Sequence, residues 1–123
     1  MALTALAGPM SNFLLAALAV LGMRFMMNYS EAATAFDLWF FYFLMELAVL
    51  SIGLGVFNLL PIPPLDGSKI VAAVLPDHAY MTWMRYEKYG FILLFIIMYL
   101  DIGSSFISGM IVNIYSFLVN LIL

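Results

Sequence analysis

The chain has 123 residues, of which 67% are hydrophobic and only 9% are charged, and its formal net charge is −3. A soluble domain is usually about half apolar and about a quarter charged, and a chain of this size cannot hide such an excess in one core. The composition therefore predicts a protein whose solvent is lipid, and the acidic balance argues against nucleic acid as a partner. Because the chain has no cysteine, disulfides and thiolate metal sites are excluded.

Three apolar regions predict an all-α membrane protein with about three to four transmembrane helices. The first region covers about residues 2–27, the second 38–60 and the third 89–123. Each of the first two is long enough for a crossing helix, which needs roughly 20 residues. The third is too long for one straight span and is interrupted at 101–105, so it predicts either one kinked helix or two short segments. Together the regions predict a single transmembrane domain over residues 1–123.

The N-terminal stretch AGPMSN, residues 7–12, predicts a helix start. Gly8-Pro9 would begin the helix, because proline is well accommodated in a first turn. Asn12 would then lie one turn in and point toward another helix. Two interpretations of Asn12 stay open: a packing residue among small neighbours, or an amide that lines a polar cavity.

Few ionisable side chains lie inside the apolar regions. Glu46 falls near the middle of the second region, where a carboxylate must be protonated, paired or turned to the bundle interior. It predicts either an ion or proton site or a neutral side chain hydrogen-bonded between helices. Asp101, beside Gly103, is interpreted as local backbone chemistry or as an ion site. The single histidine, His78, is interpreted as an ordinary surface residue rather than a metal ligand.

The stretch NLLPIPPLDG, residues 58–67, is the most unusual polar segment. Its three prolines restrict φ and remove backbone donors, so it predicts a stiff extended segment that ends in a turn at Asp66-Gly67. Stiffness suits a metal ligand, whose geometry must be held in advance, and zinc accepts aspartate oxygen. The alternative is a tight interfacial turn in which Asp66 caps a helix.

The connection from 61 to 90 carries Lys69, Arg85 and Lys88, which predicts that it is cytoplasmic. Within it, residues 68–75 predict a short interfacial helix that is capped by Ser68 and stopped by Pro76. Its aromatic residues are typical of an interfacial belt.

These motifs resemble a known family. NLLPIPPLDG closely resembles the second signature of the site-2 protease family, the zinc intramembrane metalloproteases, and AGPMSN resembles the Ala-Gly-Pro-x-x-Asn element that precedes it in that family. The resemblance implies that Asp66 is the third protein ligand of a catalytic zinc and that Asn58 helps to hold the substrate strand or the developing oxyanion. It also implies a multi-pass protein of a prokaryotic cell membrane that cleaves a peptide or transmembrane substrate. The supporting positions would be Asn12, Gly8, Pro9, Pro61 and Gly67.

The chain departs from the family in one respect. The family takes its other two zinc ligands and its general-base glutamate from a His-Glu-x-x-His helix, and no such motif is present in these 123 residues. One aspartate cannot hold a catalytic zinc, which normally has three protein ligands. We therefore expect the chain to be inactive alone. It would be the C-terminal portion of a longer protein whose upstream reading frame encodes the motif, or it would work with a second chain.

Two other functions stay open. The first is a non-catalytic membrane module, derived from the family, that binds a partner helix beside residues 58–67. Stoichiometric zinc retention by the isolated chain would contradict it. The second is a small ion transporter component that uses Glu46 and Asp101. Absence of flux above that of empty vesicles would exclude it.

Overall fold

The computed structural model describes residues 2–29, 33–61 and 65–123. Over these ranges the chain is helical and contains no strand, which confirms the all-α prediction. Six α-helices and one short 3-10 helix follow in chain order: α1 (Ala2–Tyr29), α2 (Ala35–Leu59), α3 (Asp66–Val74), α4 (Asp77–Arg85), the 3-10 helix (Glu87–Tyr89), α5 (Gly90–Tyr99) and α6 (Ile102–Ile122).

Three of these helices are long and apolar enough to cross a membrane. The candidate spans are Leu3–Tyr29, Ala35–Leu59 and Gly103–Ile122, as expected from the length of the apolar regions. The third apolar region is divided into α5 and α6. Between them Asp101 has a φ of 60°, a left-handed backbone conformation that ends the helical path. At 10 residues, α5 is about 15 Å long and too short to cross a bilayer alone.

The core lies between α1 and α2, and α6 packs against both. Small side chains allow the close approach. The ring of Phe13 lies against Gly55, and Leu44 lies against Gly22, which shows that α1 and α2 run antiparallel. In lipid, where water does not drive helices together, such van der Waals packing is the main source of association. The buried apolar residues are Ala16, Ala19, Val20, Met23, Leu44, Ala48, Ile52 and Val56.

Polar side chains complete the helix ends on the side of the bundle far from α3. Thr34 and Asp37 form a capping box at the start of α2, in which the Thr34 Oγ1 accepts from the Asp37 backbone N at 3.2 Å. The Arg24 guanidinium donates to the backbone oxygen of Ile122 at 2.7 Å, and so satisfies a carbonyl in the last turn of α6.

The predicted start of α1 is wrong. The helix begins at Ala2, so Gly8-Pro9 lies inside it. Pro9 is fully buried and removes one intrahelical hydrogen bond. The residues before it are mainly alanine and leucine, which favour a helix, and packing against neighbouring helices makes an internal proline tolerable in a membrane.

The predicted start of the interfacial helix is also wrong. α3 begins at Asp66, and Leu65 is its N-cap residue with an extended backbone, so Asp66-Gly67 is a helix start rather than a turn. Ser68 is the third helical residue, and its Oγ donates to the Leu65 backbone oxygen at 2.7 Å. The helix ends at Val74, before Pro76, as predicted. The prolines at 63 and 64, which were expected to be extended, lie outside the described residues.

Candidate functional site

The two sequence motifs meet where α3 packs against α1. Across from Gly8, the nearest neighbouring atom is the Oδ2 of Asp66, and a Cβ atom at position 8 would lie 3.0 Å from that oxygen. This separation is shorter than almost all contacts of real Cβ atoms. The absence of a side chain at Gly8 therefore leaves the space in which the Asp66 carboxylate lies.

Gly67 fixes the start of α3 against the end of α2. A Cβ atom at this position would overlap the backbone oxygens of Leu59 and Leu60. No glycine in the described ranges has a positive φ, so Gly67 is required for close approach rather than for an unusual backbone conformation. Asp66 precedes this buried residue directly. Its carboxylate is therefore held beside α1 by backbone packing rather than by its own hydrogen bonds.

Among the described residues, the Asp66 carboxylate forms one long ion pair. Its side chain is 32% exposed, and its Oδ1 lies 3.9 Å from the Nζ of Lys69, a side chain that is 61% exposed. The interpretation of Asp66 as a helix cap is wrong, because α3 has no side-chain cap hydrogen bond. A half-exposed ion pair at this distance is weak and easily exchanged. The carboxylate oxygens are therefore available to coordinate a metal ion.

The other residues predicted for the site lie on α1 and at the end of α2. Asn58 is half-buried in the last turn of α2, one residue before the Leu59 carbonyl that touches Gly67. Asn12 is half-buried one turn after Gly8, on the same face of α1. Pro9 is buried in the bundle and Pro61 is exposed. No hydrogen bond among the described residues assigns a role to either asparagine amide, so both roles stay predictions.

The described residues do not form a complete metal site. Among them, no three histidine, aspartate or glutamate side chains converge closely enough to hold an ion. His78 is exposed on α4 and does not join Asp66. A catalytic zinc normally has three protein ligands, so this part of the chain fits one ligand position and not a whole site.

Glu46 lies on α2, and Asp101 lies between α5 and α6. Glu46 is exposed on α2 rather than turned to the bundle interior, which contradicts the expectation of a hydrogen bond between helices of this chain. Asp101 is exposed at the break between α5 and α6, where its backbone oxygen accepts from the Ser104 Oγ at 3.0 Å. This local hydrogen bond agrees with the interpretation of Asp101 as local backbone chemistry, and its role as an ion site stays a prediction.

Only its aromatic character distinguishes Trp83 in the sequence, yet it lines two cavities beside the motifs. One, of about 330 Å³, lies against Pro61 and the start of α5. The other, of about 240 Å³, lies between α3 and α4 and includes Lys69 and Glu87. The available signal was the spacing of Tyr80, Trp83, Tyr86 and Tyr89, which recur every three residues.

Comparisons with known proteins identify the family of the chain. Residues 20–100 match the model of peptidase family M50. The chain is 34% identical over 103 residues to the "Putative zinc metalloprotease YwhC" of Bacillus subtilis strain 168, and the alignment covers 83% of this chain and 47% of that protein. The chain thus spans about half the length of this curated relative, and no solved structure matches it. Since the family match covers well over half of the 123 residues, the chain belongs to peptidase family M50, the site-2 protease family.

Proposed function

We propose that this chain is part of a membrane-embedded zinc metallopeptidase that cleaves a membrane-associated peptide or transmembrane substrate. Membership of family M50 and the three candidate spans support this function. The observation that carries the proposal is the position of Asp66, whose carboxylate faces Gly8 while Gly67 fixes the same segment against the end of α2.

In this proposal Asp66 supplies one oxygen ligand to the zinc. The other ligands come from residues outside these 123, on a helix that carries His-Glu-x-x-His, whose spacing places both histidines on one face. Asn58 contributes a polar amide in the last turn of α2, two residues before Leu60, whose backbone is extended at φ −58° and ψ 133°. An amide beside extended backbone suits the binding of an extended substrate strand.

The proposed orientation follows from charge. Lys69, Arg85 and Lys88 lie beyond the α3 end of the spans, whereas Arg24 is close to the opposite end. Basic residues concentrate in cytoplasmic connections. We therefore place residues 61–90, and with them the cleavage site, at the cytoplasmic face of a prokaryotic cell membrane.

The test uses the protein purified from its source membranes and compares Asp66→Asn with Asp77→Asn. Both residues are the first residue of a nine-residue helix, so the second variant is a matched control. Loss of one of the three protein ligands should lower zinc retention at least about tenfold, measured by elemental analysis, and abolish cleavage of a transmembrane peptide. Asp77→Asn should change neither. Full zinc content and full cleavage in Asp66→Asn would refute the proposal.

A further inference from the structure

A stripe of exposed side chains runs along α2 on the side that faces away from α1. Successive members are three or four residues apart, which places them on one helical face. The buried residues of α2, among them Ala48 and Gly55, lie on the opposite side. Because Glu46 is the one ionisable member, we call this surface the Glu46 stripe. It consists of Trp39, Phe43, Glu46, Leu50 and Leu54.

Glu46 lies deep within the apolar length of α2. At 1.5 Å per residue it is about 14 Å from Asp37, in the capping box at one end, and about 18 Å from Asn58 at the other. A glutamate side chain is too short to reach the membrane surface from that depth. A carboxyl group that faces hydrocarbon is costly unless a hydrogen-bond donor or cation meets it.

The described part of this chain provides no such group. Its hydrogen bonds and its ion pair leave the Glu46 carboxyl without a partner. Lys69, Arg85 and Lys88 follow the end of α2 and lie outside its span. Arg24 is the nearest cation in depth, but its guanidinium already donates to the Ile122 backbone oxygen. A second copy that used Arg24 would have to give up that bond, so charge complementarity favours a different helix.

We propose that the Glu46 stripe is the docking surface for a transmembrane helix from outside these 123 residues, one that presents a basic side chain at the depth of Glu46. The aromatic and leucine side chains of the stripe would supply the van der Waals contact, and Glu46 would set register and specificity. The Bacillus relative is long enough to contain such a helix, because about half of its sequence lies outside the alignment. This inference does not depend on the zinc ligand assigned to Asp66.

The experiment reconstitutes the 123-residue chain in phosphatidylcholine vesicles and measures energy transfer to a synthetic transmembrane helix. Since the chain has no cysteine, Leu123→Cys gives a unique dye position. The probe is a leucine-alanine helix with one central lysine, and its parent without lysine is the peptide control. The lysine probe should bind about fivefold to tenfold more tightly than its parent, because a buried polar contact replaces an unpaired carboxyl group.

Two variants test the role of Glu46 itself. Glu46→Leu should remove the preference for lysine and, in the absence of any peptide, should leave the chain at least as stable, because a carboxyl group has left the lipid. The double variant, Glu46→Leu with Leu21→Glu, moves the carboxyl group from α2 to α1. The new position lies at nearly the same depth, because Gly22 of α1 contacts Leu44 of α2. It is also exposed, since the Leu21 residue is 51% exposed. This double variant should bind the lysine probe no better than Glu46→Leu.

Three results would overturn the inference. Equal binding of the lysine probe to the chain with Glu46 and to the Glu46→Leu variant would show that Glu46 does not contact the probe. Full binding by the double variant would show that the stripe has no part in recognition. Energy transfer between two copies of the chain in the absence of any peptide, if Glu46→Leu abolished it, would show that the surface serves self-association instead.

Discussion

Helices α3 and α4 have nearly the same local design but very different surroundings. Each has nine residues and begins with an aspartate, Asp66 or Asp77, after a residue with extended backbone. α3 buries Gly67, Ser68 and Ala72, whereas α4 has no buried residue in the structure. The local signal for a helix start is thus the same in both. What makes Asp66 a candidate ligand is the contact of α3 with α1 and with the end of α2.

The largest effect should come from Gly67→Ala. At an open helical position this change would stabilise the protein by about 0.5–1 kcal/mol, because alanine favours the helix. Here the added Cβ would meet the backbone oxygens of Leu59 and Leu60, which cannot rotate away. We expect the free energy of unfolding, measured by SDS titration in mixed micelles, to fall by about 3 kcal/mol.

The matched change in α4 is His78→Ala, since His78 is also the second residue of its helix and is exposed. It should alter the free energy of unfolding by no more than about 0.5 kcal/mol. If Gly67→Ala were equally harmless, α3 would not be fixed against α2, and the contrast between the two helices would disappear.

A smaller effect is expected from Gly8→Leu. The new side chain would enter the space of the Asp66 carboxylate, which can rotate but loses its place beside α1. Overpacking of this kind should cost about 1–2 kcal/mol of unfolding free energy in the same titration.

The control for this variant is Gly109→Leu on α6, where an added Cβ would meet no atom within 4 Å. Leucine there should be neutral or stabilise the helix by up to about 1 kcal/mol. Equal costs at the two glycines would mean that the approach of Gly8 to Asp66 contributes nothing.

These contacts also show where sequence reasoning stops. The three spans are predictable because apolar length alone determines whether a helix can cross a bilayer. The break near Asp101 is predictable because glycine and serine follow it. The starts of α1 and α3 are not, since packing keeps Pro9 inside a helix and Ser68 bonds back to Leu65 rather than capping.

The candidate site was predictable only in part. Resemblance to a family placed both motifs in one active site, but no local pattern indicates that Gly8 faces Asp66 or that Gly67 touches the carbonyls of α2. Both contacts depend on how α3 returns onto the bundle, which local sequence does not specify. The exposure of Glu46 was missed for the same reason, because hydrophobicity locates a residue in depth and not around the helix.

Helices α3 and α4 each contain a hydroxyl side chain that bonds to the backbone. Ser68 is a buried residue whose Oγ donates to the Leu65 oxygen at 2.7 Å, in a hydrogen bond that is partly buried. The Thr82 Oγ1 of α4 donates to the His78 oxygen at 3.2 Å, in a hydrogen bond that is exposed. Loss of this partly buried hydrogen bond should make Ser68→Ala less stable by about 1 kcal/mol. Thr82→Ala should stay within about 0.5 kcal/mol in the same SDS titration. Equal values for the two would show that α3 is no better packed than α4.

The smallest effect should follow from Lys69→Met. The Lys69 Nζ is 3.9 Å from the Asp66 Oδ1, and its side chain is 61% exposed, so the pair should contribute less than about 0.5 kcal/mol. Any difference from the parent should vanish at about 1 M salt, where screening acts over roughly 3 Å. A loss above about 1 kcal/mol that persists in salt would mean that Asp66 is committed to Lys69. In that case its carboxylate would not be available to a metal, and the contrast between α3 and α4 would reflect stability rather than function.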